Sequence, residues 1–243
     1  GGSRPQQAVA LEQLRARLAL DVLHDDEVAP VVDARVVDLD DVRVDELRDR
    51  ERLAAEAGDM TMGVGLLLAP LHNPVYTAET IATLDVISRG NMIFGVGLGY
   101  RTAEFEAFGV PLKERAPRLV ESLKLIRALW AGGKVTFDGR FYQVRDHGIS
   151  LKPVRAGGPP VWIAGLVEAA VKRAARLGDA WLIANATTVG ATVPLMKIYR
   201  QTLAELGKTV EEFPLARECY IGESHATAME ECRAALEYKY NSY

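Results

Sequence analysis

From Thr61 onward, short apolar segments alternate with amphipathic segments of helical period, and this alternation limits the possible folds more than any other feature. The clearest apolar segment is Met92–Val96, and Thr61–Pro70, Val161–Ala164 and Ala180–Ala184 are similar. Segments that are apolar at nearly every position are typical of strands buried on both faces of a parallel sheet. We therefore predict an α/β fold of parallel strands joined by right-handed helical crossovers.

The helical segments carry apolar residues at spacings of three and four, most clearly in Arg115–Trp130. Further helices are predicted over Pro74–Ser88, Thr102–Phe108, Val167–Leu177, Val193–Leu206 and Ala226–Tyr238, and a further strand over Leu215–Ile221. The dipeptide Asp138-Gly139 is a strong hairpin-turn signal. Residues Val135–Val144 are therefore predicted to form a β-hairpin that stands outside the strand–helix repeats.

An open doubly wound sheet and a closed barrel would both satisfy this alternation. The length of 243 residues and the steady repeat favour a barrel, so we expect one α/β-barrel domain over residues 1–243. Residues 1–58 fit the pattern poorly. Helices over Ala8–Leu23 and Asp45–Ala57, and a strand over Val31–Leu39, are the elements predicted there.

Composition excludes several classes of protein. The net charge is −4 with both signs mixed along the chain, so no basic face is expected and nucleic-acid binding is not predicted. Charged residues interrupt every apolar segment before it reaches the roughly 18 residues of a membrane span. The first residues lack the apolar core of a signal peptide, so we expect a cytoplasmic protein. Cys219 and Cys232 are expected to be buried, inert thiols, and no metal site is predicted.

Three glycines at alternate positions, Gly95, Gly97 and Gly99, close the strand Met92–Val96 and form the first candidate site. In the dinucleotide fingerprint G-x-G-x-x-G, Gly95 and Gly97 would fit, but the third position falls on Tyr100, and Gly99 is off by one. A Rossmann site is therefore not predicted. Two interpretations stay open: the glycines allow close packing of the following segment, or a flat ring system lies over their backbone.

The second candidate site follows the strand Val161–Ala164. The strand ends at Gly165 and a helix begins almost at once, which leaves backbone N–H groups free on Gly165, Leu166 and Val167. Such a helix start can bind a phosphate through backbone donors and the helix dipole. No basic side chain lies in this turn, so an ordinary turn is the alternative.

Two of the four histidines are candidate acid–base groups. His72 follows the strand that ends at Pro70, and His147 follows the predicted hairpin. Either imidazole could transfer a proton near neutral pH, but a histidine in a loop is more often simply solvated.

Together these segments resemble the bacterial luciferase-like, flavin-dependent monooxygenases. The matching motifs, within about residues 60–185, are LLLAPLHNP, A-x-x-x-A-T-L-D-x-I-S over Ala78–Ser88, G-V-G-L-G-Y-R-x-x-E-F over Gly95–Phe105, PPVWIAG, and R-A-A-R-L-G-D-A-W over Arg173–Trp181. The resemblance implies a TIM (β/α)8 barrel. The family's first strands find no match in residues 1–60, and its closing strand none before Tyr243. We therefore expect a barrel that is incomplete at both ends of this sequence.

The resemblance also implies a cofactor site at the carboxyl ends of the strands, for reduced FMN or a related 8-hydroxy-5-deazaflavin coenzyme. The cofactor-binding residues that it implies are Leu68, Ala69, Leu98, Gly99, Tyr100, Glu104, Ala164, Gly165, Leu166 and Val167. The phosphate would lie on the Gly165–Val167 turn, and Glu104 would order a loop. His72 and Tyr100 are the expected catalytic residues, and Trp181 is expected in the wall of the site.

Three functions follow from the resemblance. The first is a two-component monooxygenase that uses oxygen and reduced FMN, supplied by a separate flavin reductase, on a small organic substrate. The second is a deazaflavin-dependent oxidoreductase that transfers hydride. The third is a non-catalytic flavin-binding barrel. A homodimer is expected in each case.

Overall fold

The computed structural model describes residues 53–184, 187–210, 212–217 and 219–241. Among them, the residues up to Arg217 belong to a first compact unit and those from Cys219 onward to a second. The elements predicted over Ala8–Leu23 and Val31–Leu39, and most of Asp45–Ala57, lie outside the described residues.

The first unit is built around a parallel sheet. Its strands, and those of a separate hairpin, are β1 (Met62–Leu67), β2 (Met92–Val96), β3 (Val135–Asp138), β4 (Gln143–His147), β5 (Val161–Ala164) and β6 (Ala180–Leu182). The parallel sheet has the order β1-β2-β5-β6, so each of its strands lies beside the one before it in the chain. A barrel is wound in this way, whereas a doubly wound sheet reverses at a switch point.

The sheet continues beyond β6 as a single parallel bridge between Ile183 and Leu215. The Ile183 N–H donates to the Pro214 carbonyl at 3.0 Å, and the Ala216 N–H donates to the Ile183 carbonyl at 3.0 Å. Over the described part of Leu215–Ile221, the predicted strand is thus reduced to one bridge.

The α-helices with defined bounds are α1 (Pro74–Ile87), α2 (Thr102–Ala107), α3 (Arg115–Ala131), α4 (Glu168–Leu177), α5 (Val189–Glu205) and α6 (His225–Asn241). Local capping explains where they start. Asn73 caps α1, since its side-chain oxygen accepts from the N–H groups of Val75 at 2.9 Å and Tyr76 at 3.3 Å. Helix α5 begins before the predicted Val193 because the Thr188 hydroxyl caps it, accepting from the Ala191 N–H at 3.2 Å. None of the described helices combines the length and the apolarity needed to cross a membrane.

The core of the first unit confirms that β2 is buried on both faces, since all five of its residues are buried. Phe94 packs edge-on against Trp130 of α3, with ring centroids 5.8 Å apart. The buried indole N–H of Trp130 donates to the carbonyl oxygen of Ala78 in α1 at 3.0 Å. These contacts hold the two helices onto the sheet.

The predicted hairpin is present, with β3 and β4 paired antiparallel. The Glu121 carboxylate of α3 holds its turn, accepting from the N–H groups of Arg140 at 3.1 Å, Phe141 at 2.8 Å and Tyr142 at 2.7 Å. His147 ends β4 and is exposed.

The second unit contains α6 among its described residues. The Tyr220 hydroxyl donates to the Glu231 carboxylate at 2.9 Å, and this hydrogen bond raises the pKa of the phenol. Cys232 is buried as predicted, but Cys219 is exposed, so the prediction of two buried thiols was wrong for Cys219. A cysteine outside regular secondary structure has no periodic pattern from which burial could be predicted.

Candidate functional site

The carboxyl ends of the four parallel strands share one edge of the sheet, which we call the carboxyl edge. The register pairs Leu67 with Val96, Val96 with Ile163, and Ala164 with Leu182. The segments that follow these strands therefore lie side by side, with neighbouring strands about 5 Å apart. Three stretches of predicted cofactor-binding residues come together there: Leu68–Ala69, Leu98–Tyr100 and Ala164–Val167.

Strand β1 reaches this edge through an irregular stretch of backbone. Its pairing with β2 shifts between Val64 and Leu67, and a side chain at Gly95 would collide with the Val64 carbonyl oxygen. Leu68 then starts a short 3-10 helix, Ala69–Leu71, in which Ala69 is buried. The irregularity thus lies immediately before Leu68 and Ala69, two of the predicted cofactor-binding residues.

The glycines after β2 are explained by packing. Gly99 has a φ of +72°, and a Cβ there would lie 2.9 Å from the Phe105 ring and 3.3 Å from Leu68 Cδ1. The close approach of Phe105, in the following helix, accounts for Gly99 as the first of the two interpretations predicts, whereas Gly95 is required by the neighbouring strand β1. Leu98 is half-buried beside them. The carboxyl edge therefore carries two half-buried leucines, Leu68 after β1 and Leu98 after β2.

The predicted catalytic residues lie in the segments that leave this edge. His72 is half-buried, with its ring centroid 6.2 Å from that of Phe108. Tyr100 is 64% exposed, and the Arg101 guanidinium lies 6.0 Å from its ring centroid. Arg101 also pairs with Glu104 at 3.7 Å, within the first turn of α2. The catalytic role of His72 and Tyr100 stays a prediction.

The turn between β5 and α4 is open to solvent. Leu166 is 53% exposed and Val167, the N-cap residue, is 62% exposed. The N-cap residue Val167 makes no side-chain capping hydrogen bond to this ten-residue helix. The first N–H groups of a helix have no acceptor within it, so this end can receive an anion. The negative charge of Glu168 would repel an anion bound here, but its carboxylate forms an ion pair with Lys172 at 2.5 Å.

Trp181 is placed differently from the sequence-based expectation. Its ring is only 1% exposed and packs against Tyr199 of α5, with centroids 5.6 Å apart, so it does not line an open site. Its indole N–H reaches the turn and donates to the Gly165 carbonyl oxygen at 2.9 Å. The sequence contained a partial signal for this contact, because a tryptophan near the end of one strand can reach the end of its neighbour.

The dimensions of the carboxyl edge fit a flavin-type group. Two strand spacings, roughly 10 Å, separate the end of β1 from the end of β5. Half-buried Leu68 and Leu98 lie towards one side, and the exposed, uncapped start of α4 lies towards the other. This arrangement offers apolar contact for a flat ring and backbone donors for a phosphate.

The chain is similar to known proteins in sequence and in fold. A family model described as luciferase-like monooxygenase matches residues 52–243. The chain belongs to this family. Among its relatives is the F420-dependent glucose-6-phosphate dehydrogenase of Amycolatopsis mediterranei (strain U-32), which is 33% identical over 168 residues. That match covers 67% of this chain and 50% of the relative.

Solved structures of luciferase-like proteins show the same fold. The monooxygenase RslO1 of Streptomyces bottropensis superposes with a TM-score of 0.72 at 23% identity, covering 79% of this chain and 59% of that one. The coenzyme F420-dependent tetrahydromethanopterin reductase of Methanopyrus kandleri gives 0.68 at 21% identity, with 79% and 59% covered. The predicted TIM-barrel fold is thereby confirmed. The chain spans about half the length of the curated relatives that it matches, or less.

Proposed function

We propose that this chain belongs to an oxidoreductase that uses a phosphate-bearing deazaflavin of the F420 type for hydride transfer. The similarity to a relative named an F420-dependent dehydrogenase, at 33% identity over 67% of the chain, carries this proposal. The likeness to the monooxygenase RslO1 is weaker support for another coenzyme, because 23% identity argues for the fold alone. The deazaflavin alternative of the sequence analysis is therefore preferred to the reduced-FMN monooxygenase.

The residues of the carboxyl edge would bind and orient the coenzyme. The N–H groups of Gly165, Leu166 and Val167 would hold its phosphate, and Leu68 and Leu98 would exclude water from the ring. When bound, the deazaflavin would exchange a hydride with the substrate carbon, so the protein itself need supply little more than position and protons.

Two residues are proposed for the proton that accompanies hydride transfer. The His72 imidazole and the Tyr100 phenol lie in segments that leave the same edge, after β1 and β2 respectively. Either could hold or donate a proton at the substrate oxygen. Because Tyr100 is 64% exposed, substrate could reach its hydroxyl without rearrangement of the core.

Coenzyme titration tests the proposal. We expect the F420-type deazaflavin to bind with a Kd at least about tenfold lower than that of FMN, followed by hydride transfer without oxygen uptake. Tighter binding of FMN, with oxygen consumed when it is reduced, would replace the proposal by the monooxygenase. Binding of neither coenzyme would reject both.

A pair of variants locates the site. Leu166→Glu places a carboxylate in the exposed α4 turn and should weaken coenzyme binding by about tenfold or more through repulsion of the phosphate. Leu206→Glu introduces the same charge at another exposed leucine, the C-terminal cap residue of α5, and should leave the Kd unchanged. Equal effects of the two substitutions would place the phosphate elsewhere.

A further inference from the structure

We propose that Trp181 is a positioning residue that aims the backbone N–H groups of the Gly165–Val167 turn at the coenzyme phosphate. This inference rests on the proposed function, since it concerns the same phosphate site. It assigns a role to a buried side chain that the sequence analysis had expected in the wall of the site.

The structure ties the Trp181 indole to the phosphate turn. Trp181 lies in β6, paired in register with Ile163 of β5, and its Nε1 is 2.9 Å from the Gly165 carbonyl oxygen. The hydrogen bond joins the end of one strand to the turn that follows its neighbour. A carbonyl in an exposed turn would otherwise be free to accept from water.

Because a peptide group is planar, this hydrogen bond also fixes the direction of the Leu166 N–H. The carbonyl of Gly165 and the N–H of Leu166 belong to one planar trans peptide, in which the two bonds point in opposite directions. If the carbonyl points at the buried indole, the Leu166 N–H must point away from it. Rotation of this peptide would cost the Trp181 hydrogen bond, so the donor direction is fixed before any ligand arrives.

Neighbouring side chains hold both partners of the hydrogen bond in place. On one side, the Trp181 ring is 1% exposed and packs against fully buried Tyr199. On the other, a Cβ on Gly165 would lie 2.5 Å from the Cβ of Ala170, so the turn lies tightly against the first turn of α4. Donors that are already oriented bind an anion more tightly, because little conformational freedom is lost on binding.

A purely structural role is the competing explanation, since a buried indole usually finds an acceptor whatever the function. Trp130 supplies a matched control for it. Its ring is 2% exposed, and its N–H also donates to a backbone carbonyl, that of Ala78, at 3.0 Å. That carbonyl belongs to α1 and not to the phosphate turn.

The experiment compares Trp181→Phe with Trp130→Phe, because both substitutions keep an aromatic ring and remove the N–H. For each protein, the Kd is measured for the deazaflavin coenzyme and for dephosphorylated 8-hydroxy-5-deazariboflavin, with FMN and riboflavin as a second pair. The ratio is the Kd of the dephosphorylated ligand divided by that of the phosphate-bearing one. In the FMN and riboflavin pair it reports the contribution of the phosphate alone, and in the deazaflavin pair that of the phosphate together with the group it carries. A general loss of folding would weaken both ligands and leave the ratio unchanged.

We expect Trp181→Phe to reduce this ratio by about tenfold, which corresponds to the loss of one well-oriented hydrogen bond. Trp130→Phe should keep the wild-type ratio even where it lowers the Tm. An unchanged ratio in Trp181→Phe would overturn the inference while leaving the proposed function intact. A wild-type protein that binds neither ligand of either pair would instead reject the proposed function, and this inference with it.

A measurement on the wild-type protein covers the case in which Trp181→Phe does not fold. In a two-dimensional NMR spectrum of amide groups, the Leu166 resonance should shift on addition of the phosphate-bearing coenzyme and not on addition of its dephosphorylated form. The same response to both ligands would overturn the inference.

Discussion

The two edges of the parallel sheet are made by the same four strands, yet they are held in different ways. At the amino edge, charged side chains hydrogen-bond to the backbone of the loops that enter the strands. At the carboxyl edge, exposed apolar side chains lie beside the start of α4, whose N-cap residue makes no side-chain hydrogen bond. This contrast separates the part of the molecule that maintains the fold from the part that is available for binding.

Two carboxylates illustrate the amino edge. Asp85 is fully buried, and its Oδ2 accepts from the Val154 N–H at 2.8 Å, which fixes the loop before β5 to the end of α1. Asp179 accepts from the Val161 N–H at 2.7 Å and from Arg127 at 2.9 Å, which joins α3 to the starts of β5 and β6. Each carboxylate therefore fixes an element entering the sheet.

At the carboxyl edge, Arg217 restrains the segment after β6 through hydrogen bonds to two backbone carbonyls, but the segments after β2 and β5 are more open. Tyr100, Phe108, Leu166 and Val167 are all more than half exposed there. The start of α4 has no side-chain cap, in contrast to α1 and α5, which are capped by Asn73 and Thr188. A missing cap costs a helix about 1 kcal/mol, and a bound phosphate could recover it.

Gly95→Ala should have the largest effect, because it acts on the sheet that supports both edges. The added Cβ would collide with the Val64 carbonyl oxygen, a backbone atom that cannot move without breaking the β1–β2 pairing. We expect a loss of about 3 kcal/mol or more in the free energy of unfolding, measured by urea denaturation. Gly63→Ala is the matched control, since its Cβ would meet Ile93 Cβ at an ordinary 3.4 Å and should cost about 1 kcal/mol or less.

Asp85→Ala should affect stability alone and so tests the separation of the two edges. Removal of the buried acceptor leaves the Val154 N–H unsatisfied, and we expect a loss of about 2 kcal/mol in the free energy of unfolding. The coenzyme Kd of the folded protein should not change. Glu56→Ala, at an exposed helical position, provides the baseline for loss of an acidic side chain. A weakened Kd in Asp85→Ala would show that the two edges are coupled.

Gly165→Ala should act mainly on coenzyme binding, in contrast to Asp85→Ala, which should act on stability. A Cβ at this position would lie 2.5 Å from Ala170 Cβ, so the turn must move away from α4 and its donors must change direction. We expect the coenzyme Kd to rise about tenfold, measured by fluorescence titration. Gly190→Ala, in α5 with no close neighbour, should leave both Kd and stability nearly unchanged. A wild-type Kd in Gly165→Ala would remove this turn from the site.

Much of the fold could be predicted from the sequence because its signals are local. The apolar segment of β2, the helical period of α3 and the Asp138-Gly139 turn each specify their own element, and the structure contains all three. Element ends were less certain, because the Thr188 cap moved the start of α5 to Val189. The order of the strands in the sheet could be known only from their observed pairing.

Features that depend on register or on close packing could not be predicted. Gly95 is required by a shift in the pairing of β1 with β2, and a single sequence does not reveal such a shift. The Trp181 ring faces Tyr199 and not the site, because its direction depends on which side of β6 meets α5. The assembly of the carboxyl edge was predictable, however, since parallel strands bring their ends together whatever the register.

Glu104→Gln should have the smallest effect and decides whether a surface charge at the carboxyl edge contributes to binding. Its ion pair with Arg101 is 3.7 Å long, and both side chains are more than one-third exposed, so its loss should change stability by less than about 0.5 kcal/mol. If the Arg101–Glu104 pair orders the segment that carries Tyr100, the substitution should raise the coenzyme Kd about threefold, a change that calorimetric titration can resolve. Glu237→Gln removes an exposed pair of similar length, with Arg233 of α6 at 3.8 Å, and serves as the control. A Kd that responds equally to both substitutions would mean that neither pair acts on the site, and the binding function of this edge would then rest on its backbone donors and apolar side chains alone.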